Sequence, residues 1–242
     1  MSPTANNLGF LYLDQNGMLI YMTTTPTVIQ FPFPLDIVRD LEIINKDLLQ
    51  KEVNELFKNN AIPPTRFILA LSPNLLFEKV FTNAKDPQAQ ADIQQFLDNI
   101  PFERTGTIIF ENAESKLIAT NKDLYQTLTK IIQELGSVVE YIMPAYVLGI
   151  DVNQALSMNQ AVLNDIHRKA PSLRQYSFLV ESPAINPKAS DTRIPNSSTN
   201  KPSEKPQENG DKKRLFLLLG IFVILILILA IVAYLSFGNP NP

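Results

Sequence analysis

The sequence predicts a mixed α/β fold followed by one C-terminal transmembrane helix. In residues 1–180, short runs of branched and aromatic residues alternate with amphipathic helical patterns, which is typical of mixed α/β folds. A polar, proline-containing stretch follows, and then an apolar run without a single ionisable side chain, Leu215 to Phe237. These three observations divide the chain into a folded part, a linker and a membrane span.

Residues 1–71 predict three strands, a helix and a buried strand. The Asn16-Gly17 pair between two β-rich runs is a strong hairpin signal because both residues tolerate a positive φ. Pro32 with Pro34 ends the third strand by removing backbone donors. The run RFILAL is apolar throughout, as in strands that are buried on both faces of a sheet. The expected elements are strands Gly9–Asp14, Met18–Thr24 and Thr27–Phe31, a helix Lys46–Asn59 capped by Asn45, and strand Arg66–Leu71.

Residues 75–142 predict a second unit with the order β-α-β-β-α-β, that of a split βαβ module. An exposed strand edge of this module could accept a partner strand, because its backbone groups would be unpaired. The expected elements are strand Leu75–Phe81, a helix that Asp86 and Pro87 begin and that runs through Asn99, a hairpin of Thr107–Glu111 and Lys116–Ala119, a helix from Asn121 to Leu135, and strand Ser137–Ile142.

The rest of the folded part predicts helices and one more strand. Residues 144–170 follow a helical pattern, and Tyr176 to Val180 is expected as a last short strand. Residues 181–211 contain five prolines and almost nothing to bury, so we expect a disordered linker.

The run Leu215–Phe237 is long enough to cross a bilayer. A helix of its 23 residues would reach roughly 34 Å, and the hydrocarbon core is about 30 Å thick. The membrane-flanking residues on its amino side are basic: Lys212, Lys213 and Arg214. Because positive flanks stay in the cytoplasm, we expect a single-pass protein of the cell (inner) membrane, with residues 1–180 cytoplasmic and 238–242 outside.

Charge and composition exclude several classes of function. Residues 1–180 carry 14 basic and 19 acidic side chains, a net charge of −5, whereas a nucleic-acid surface would be basic. Residues 181–242 carry 7 basic and 5 acidic side chains, so positive charge collects beside the predicted span and its lipid bilayer. The absence of cysteine excludes disulfides, thiolate metal sites and a thiol nucleophile.

No residue pattern predicts catalysis, a cofactor site or a metal site. The eight glycines are too widely spaced to form a phosphate-cradling loop. His167 is the only histidine and, beside Arg168 and Lys169, is expected at the surface. Glu111 and Glu114 could pair as carboxylates for acid–base chemistry, but at a hairpin turn we expect them to be solvated. We therefore expect a protein that is not an enzyme.

Residues 91–149 resemble the inserted subdomain of actin-like pilus and secretion platform proteins, the PilM and GspL types, with FtsA as a more distant relative. The shared pattern is a helix that ends in an Ile-Pro-Phe step, a hairpin, a helix that ends in glycine, and a strand that leads into a new helix. The matching residues are Ile100, Pro101, Phe102, Gly136 and Pro144. Residues 9–71 are similar in element order to the first actin-like subdomain. The resemblance implies a partial actin-like fold that comprises only the first half.

Two departures from the family bear on nucleotide binding. The members that bind ATP carry a Gly-Ser or Gly-Thr turn between their first two strands, and residues 14–17 do not reproduce it. The stretch between Gly149 and the linker, residues 150–180, is too short for the second half of the fold that closes the nucleotide cleft.

Two functions remain open. The first is a membrane-anchored cytoplasmic scaffold of a type IV pilus or type II secretion-like assembly. Its expected partners are inner-membrane or cytoplasmic proteins, and a homo-oligomer is an open alternative. The second is a membrane-bound nucleotide-binding protein whose ATP cleft is divergent or is completed by another subunit.

Overall fold

The computed structural model describes residues 7–81, 87–111 and 115–180, all within one unit of the chain, Met1–Ala189. The described strands are β1 (Leu8–Asp14), β2 (Gly17–Met22), β3 (Thr25–Pro32), β4 (Val38–Arg39), β5 (Glu42–Ile43), β6 (Arg66–Leu71), β7 (Phe77–Phe81), β8 (Thr105–Glu111), β9 (Ser115–Asn121) and β10 (Val138–Pro144). The described α-helices are α1 (Lys46–Asn59), α2 (Pro87–Asp98), α3 (Lys122–Glu134), α4 (Val152–Leu156) and α5 (Gln160–Lys169).

A five-stranded sheet with the order β10-β6-β1-β2-β3 is the centre of the fold. Strands β1, β6 and β10 run parallel, and β2 and β3 continue the sheet in antiparallel hairpins. Leu11 pairs with Leu69 on one side and with Ile20 on the other. The strands predicted within residues 1–71 are therefore confirmed, with ends that differ slightly.

Two separate cores cover the two faces of this sheet, because successive side chains of a strand point to opposite faces. Leu11 and Leu69 lie in the core beneath α1 and α3. Phe10 and Ile68 lie in the core beneath α4 and α5. This confirms that the apolar run in β6 is buried on both faces.

The hairpin of β1 and β2 forms for a reason that differs from the predicted one. Asp14 pairs with Gly17, so Gln15 and Asn16 are the central residues, and neither has a positive φ. Gly17 is required because a Cβ there would lie 2.3 Å from the backbone oxygen of Phe31. The hairpin thus depends on the close approach of Gly17 to β3 rather than on an asparagine in the left-handed conformation.

Asparagine side chains cap the two helices beneath the sheet, as predicted. The Asn45 oxygen accepts from Leu48 N at the start of α1. The Asn121 oxygen accepts from Asp123 N and Leu124 N at the start of α3. Each cap pairs backbone donors that the helix itself leaves free.

Strands β7, β9 and β8 form a second, three-stranded sheet, which we call the small sheet. Helix α2 covers one of its faces with Ile93, Phe96 and Leu97. The predicted order β-α-β-β-α-β is confirmed, but the split βαβ module is wrong as a single sheet. Its last strand, β10, pairs with β6 in the main sheet, because its buried residues Val139, Ile142 and Met143 join the two cores on the faces of that sheet.

A short hairpin of β4 and β5 precedes α1 and was not predicted. Its central residues, Asp40 and Leu41, have φ values of 51° and 67°, which bulky side chains rarely adopt. The Leu41 side chain packs against the cluster that contains Phe102, and Asn121 Nδ2 donates to Leu41 O at 2.9 Å. Asn121 therefore links the cap of α3 to this hairpin.

The predicted strand Tyr176–Val180 is wrong. Ala170–Tyr176 is a 3-10 helix, and residues 177–180 turn without entering a ladder. Phe178 N donates to Ile142 O at 2.8 Å, and the Ser177 hydroxyl accepts from Ile142 N at 3.1 Å. The segment thus hydrogen-bonds to Ile142 without forming a ladder, because the Ile142 N–H donates to the Ser177 side chain rather than to a backbone carbonyl.

Several predictions fall outside the described residues: the Asp86 cap, the linker 181–211, the basic flank Lys212 to Arg214, the span Leu215–Phe237 and the tail 238–242. Among the described helices, none is both long and apolar enough to span a bilayer. The transmembrane helix stays a prediction from the sequence.

Candidate interaction surface

The carboxyl ends of β1 and β6 are the place where α/β folds commonly bind ligands, so they test the nucleotide hypothesis. The turn between β1 and β2 is closed on itself. The Asp14 carboxylate accepts from Asn16 N at 3.3 Å and from Asn74 Nδ2 at 3.4 Å. The turn thus presents a carboxylate where a phosphate-binding turn presents free N–H groups, and a carboxylate repels a phosphate.

A second carboxylate, that of Asp151, lies near the Tyr12 hydroxyl at this end of the sheet. The Tyr12 ring is buried next to the turn, and burial raises the pKa of its hydroxyl, as do the nearby carboxylates of Asp14 and Asp151. In the described residues, no three side chains of the types His, Asp or Glu come together as a metal site. The surroundings therefore favour a cation or a neutral group over a phosphate.

His167 is half-buried, so the prediction that it lies at the surface is wrong. Its Nε2 lies 2.9 Å from the Gly9 carbonyl oxygen, which fits a neutral ring that donates its proton. Burial lowers the pKa of the ring. Arg66 and Glu140 form an ion pair nearby, with Arg66 Nε 2.8 Å from Glu140 Oε1. The histidine holds α5 against β1, a contact that neighbouring charged residues in the sequence do not indicate.

The predicted carboxylate pair lies partly outside the described residues. Glu111 is the last residue of β8, and Glu114 falls in the gap between the described ranges.

The edges of the main sheet are unsuited to adding a strand. At β10, Ile142 already exchanges hydrogen bonds with the segment at Ser177 and Phe178. Strand β3 contains Pro26 and Pro32, which have no N–H to donate, and proline is a common means of protecting an edge.

The two edges of the small sheet differ from one another. On the face of β8 that lies toward the main core, the Phe110 ring stacks on Tyr176 of the 3-10 helix Ala170–Tyr176, with ring centroids 4.2 Å apart. Strand β7 pairs with β9 alone among the described residues and contains no proline. Strand β8 also pairs with β9 alone within the described ranges, but β7 is the outer strand on which a large apolar side chain, Val80, is exposed. We therefore take β7 as the edge best suited to accept a partner strand.

The register identifies which backbone groups of β7 are unpaired. Lys122 N donates to Arg104 O at 2.9 Å, which makes this pair a hydrogen-bonded pair that continues the register of β8 and β9. Hydrogen-bonded pairs alternate along an antiparallel ladder. In this alternation Leu117 of β9 is not hydrogen-bonded to β8, so its backbone N–H and C=O point toward β7 and pair with those of Lys79. The backbone N–H and C=O groups of Glu78 and Val80 therefore point away from β9.

The side chains along this edge have distinct environments. The Glu78 carboxylate accepts from Lys116 Nζ and from the Tyr146 hydroxyl, both at 2.8 Å. Burial and this hydrogen bond to Glu78 raise the pKa of the Tyr146 hydroxyl, so it stays protonated. Val80 is 50% exposed. Lys79 has no ion pair among the described residues. The edge thus offers open backbone groups, an exposed apolar side chain and a cation that has no ion pair in the described part of the chain.

Comparison with known proteins gives no family assignment. No family model matches the chain, and no curated protein matches it.

Solved structures match part of the chain. The PilM–PilN type IV pilus biogenesis complex matches at 12% identity and a TM-score of 0.42, over 59% of this chain and 48% of the other. The cytoplasmic domain of EpsL, an inner membrane component of the type II secretion system of Vibrio cholerae, matches at 13% identity and 0.36, over 60% and 58%. A Bacteroides thetaiotaomicron protein with an actin-like ATPase fold and unknown function matches at 11% identity and 0.31, over 55% and 51%.

The expected similarity to pilus and secretion proteins with a partly actin-like fold is thus confirmed. This chain spans about half the length of those proteins. With every TM-score below 0.5, neither activity nor partners follow from these matches.

Proposed function

We propose that this protein is a membrane-anchored cytoplasmic scaffold that recruits a protein partner to an inner-membrane assembly of the type IV pilus or type II secretion kind. The observation that carries the proposal is the open edge of β7, where the backbone groups of Glu78 and Val80 point away from the sheet. Strand addition to such an edge is a general mode of peptide recognition.

Two features of the sequence support the anchored part of the proposal. The apolar run Leu215–Phe237 would hold the protein in the bilayer, and the basic residues before it favour a cytoplasmic position for residues 1–180. The resemblance of residues 91–149 to pilus and secretion platform proteins supports the kind of assembly. The scaffold role agrees with a fold whose parallel strand ends carry acidic rather than phosphate-binding groups.

A point substitution tests the role of the edge better than a deletion. Removing residues 75–142 would also remove β10 from the main sheet and so disrupt the whole fold. The substitution Val80→Pro removes one outward N–H and leaves the ladder to β9 intact, because proline is tolerated on an edge. Val80→Thr is the matched control, since it keeps the N–H and a β-branched side chain.

The experiment is co-purification of the full chain from solubilised membranes of its source, with the bound proteins quantified by mass spectrometry. We expect components of the membrane assembly to be recovered with the wild type and with Val80→Thr, and to be lost with Val80→Pro. Circular dichroism of each purified chain checks that the fold is unchanged. The same partners in the same amounts on all three chains would exclude recruitment through β7.

Protease accessibility tests the predicted topology independently. Protease added outside intact cells should leave residues 1–180 whole, and protease added to inverted membrane vesicles should digest them. Digestion from outside the cell would contradict the cytoplasmic position.

A further inference from the structure

We infer that the β7 edge selects a strand in which a carboxylate is flanked by apolar residues two positions away on either side. This inference rests on the proposed function, because it specifies the partner of the same edge. Lys79 is the central residue of β7, and Phe77 and Phe81 lie two residues before and after it on the same face of the small sheet.

The register places a partner residue close to Lys79. An added antiparallel strand would exchange its hydrogen bonds with Glu78 and Val80, whose backbone groups point outward. The residue opposite Lys79 would then be in a non-hydrogen-bonded pair, the kind in which side chains approach most closely. Opposite charges at such a position stabilise the pairing, and like charges destabilise it.

The charges along β7 favour a partner of negative sign. Glu78 is already compensated, because Lys116 Nζ lies 2.8 Å from its carboxylate and the Tyr146 hydroxyl donates to its other oxygen. Lys79 has no ion pair among residues 7–81, 87–111 and 115–180. An aspartate or glutamate of the partner would supply the missing charge.

The neighbours of Lys79 require apolar side chains. Phe77 packs against Phe102 with ring centroids 5.6 Å apart, and Phe81 is buried in the cluster beneath α2. Partner residues opposite these two phenylalanines would extend the apolar face. On the other face, Val80 is 50% exposed and would be covered by the partner residue opposite it.

A second copy of this chain is a poorer occupant than such a peptide. Two β7 strands related by a two-fold axis could use all the outward groups of Glu78 and Val80 only in the register centred on Lys79. That register places Lys79 directly opposite Lys79 of the second copy, where like charges repel. The lysine thus favours a different, acidic strand over self-association.

Synthetic peptides provide the test. The probe is a fluorescein-labelled peptide of ten residues with the central sequence Ile-Val-Asp-Thr-Val, and two comparison peptides carry Asn or Lys in place of Asp. Binding to the full chain in mild detergent is measured by fluorescence anisotropy. We expect Kd to be about threefold higher for the Asn peptide and about tenfold higher for the Lys peptide.

Variants of the protein complete the design. Lys79→Glu should reverse the order, so that the Lys peptide binds best, and Lys79→Gln should reduce the difference between the Asp and Lys peptides. Val80→Pro should bind none of the peptides, whereas Val80→Thr should bind them as the wild type does.

The outcomes separate this inference from the proposed function. Equal binding of the three peptides, or binding of none, overturns the acidic selectivity. A dimer in sedimentation experiments that Val80→Pro dissociates also overturns it, in favour of a second copy. Recruitment through the edge stands in each case if Val80→Pro still loses the membrane partners, and it falls if those partners are retained.

Discussion

Strands β6 and β7 both contain phenylalanine and aliphatic residues but have very different surroundings. In β6 every residue from Phe67 to Leu71 is at most 1% exposed. In β7 the residues alternate between the inward Phe77 and Phe81 and the exposed Glu78 and Val80. One strand is enclosed by two layers of helices, and the other has an open side.

The difference indicates where stability and recognition reside. The main sheet has its edges occupied at β10 and protected by prolines at β3, so its burial contributes to folding rather than to binding. The small sheet is stabilised through α2 on one face and leaves β7 unpaired on its outer side. Substitutions in the main sheet should therefore change mainly stability, and substitutions at β7 should change mainly partner binding.

The largest effect is expected from Leu69→Ala in the main sheet. Leu69 is fully buried, so the cavity should lower the free energy of unfolding by about 3 kcal/mol. Val80→Ala in the small sheet, the matched truncation, should change it by only about 0.5 kcal/mol. Urea titration of the full chain in mild detergent, followed by circular dichroism, measures both. Equal losses would remove the distinction between the two sheets.

A smaller effect is expected at Asn121, which links the cap of α3 to the β4–β5 hairpin. Asn121→Ala removes the α3 cap and leaves the Leu41 carbonyl without its side-chain donor, which together should cost about 2 kcal/mol. Asn159→Ala removes only the cap of α5 and should cost about 1 kcal/mol. The same urea titration compares the two variants. If the two variants lose the same free energy of unfolding, the hydrogen bond to Leu41 contributes nothing to stability.

The smallest effect on stability is expected at His167. Burial lowers the pKa of the ring in the folded chain, although the Gly9 carbonyl and the Glu140 carboxylate oppose this and Arg66 adds to it. As the pH falls below about 6.5, the unfolded chain therefore binds a proton before the folded chain does. The contribution of His167 to stability is complete above that pH and decreases below it.

The substitution His167→Gln checks this dependence, because glutamine keeps an N–H donor and does not titrate. We expect the wild type to lose more stability than the variant between pH 7.5 and pH 5.5. Parallel losses in urea titrations at the two pH values would show that the ring is already exposed to solvent.

The elements of the fold were largely predictable from local patterns, but their assembly was not. Asn45 and Asn121 are caps that a sequence shows directly, and the apolar run in β6 indicates burial on both faces. The sheet that β10 joins depends on long-range pairing with Arg66 to Leu71, which no local pattern of Val138 to Pro144 reveals. The half-buried position of His167 was missed for the same reason, because its partner Gly9 lies 158 positions away.

The presence of an exposed strand edge was predictable from the sequence, but the strand that forms it was not. The order of elements indicates that an exposed strand edge is present, yet the choice of β7 depends on the exposure of Val80 in the folded chain. The missed hairpin of β4 and β5 has a different cause. Its turn places Leu41 at a positive φ, where glycine or asparagine is the usual signal.

A further prediction concerns nucleotide binding at the carboxyl ends of the parallel strands, where we expect none. The Asp14 carboxylate at the turn should disfavour phosphate, so calorimetry of the full chain with ATP and Mg²⁺ should give no binding heat. Micromolar binding would favour the alternative of a divergent or subunit-completed nucleotide cleft.

The open edge itself is tested most directly by amide hydrogen exchange along β7, measured by NMR in the isolated full chain and in the purified membrane assembly. In the isolated chain we predict slow exchange at Lys79, whose backbone pairs with Leu117, and fast exchange at Glu78 and Val80. In the assembly, the amides of Glu78 and Val80 should exchange slowly as well. Slow exchange at these two amides in the isolated chain, or fast exchange that persists in the assembly, would contradict recruitment of a partner through β7.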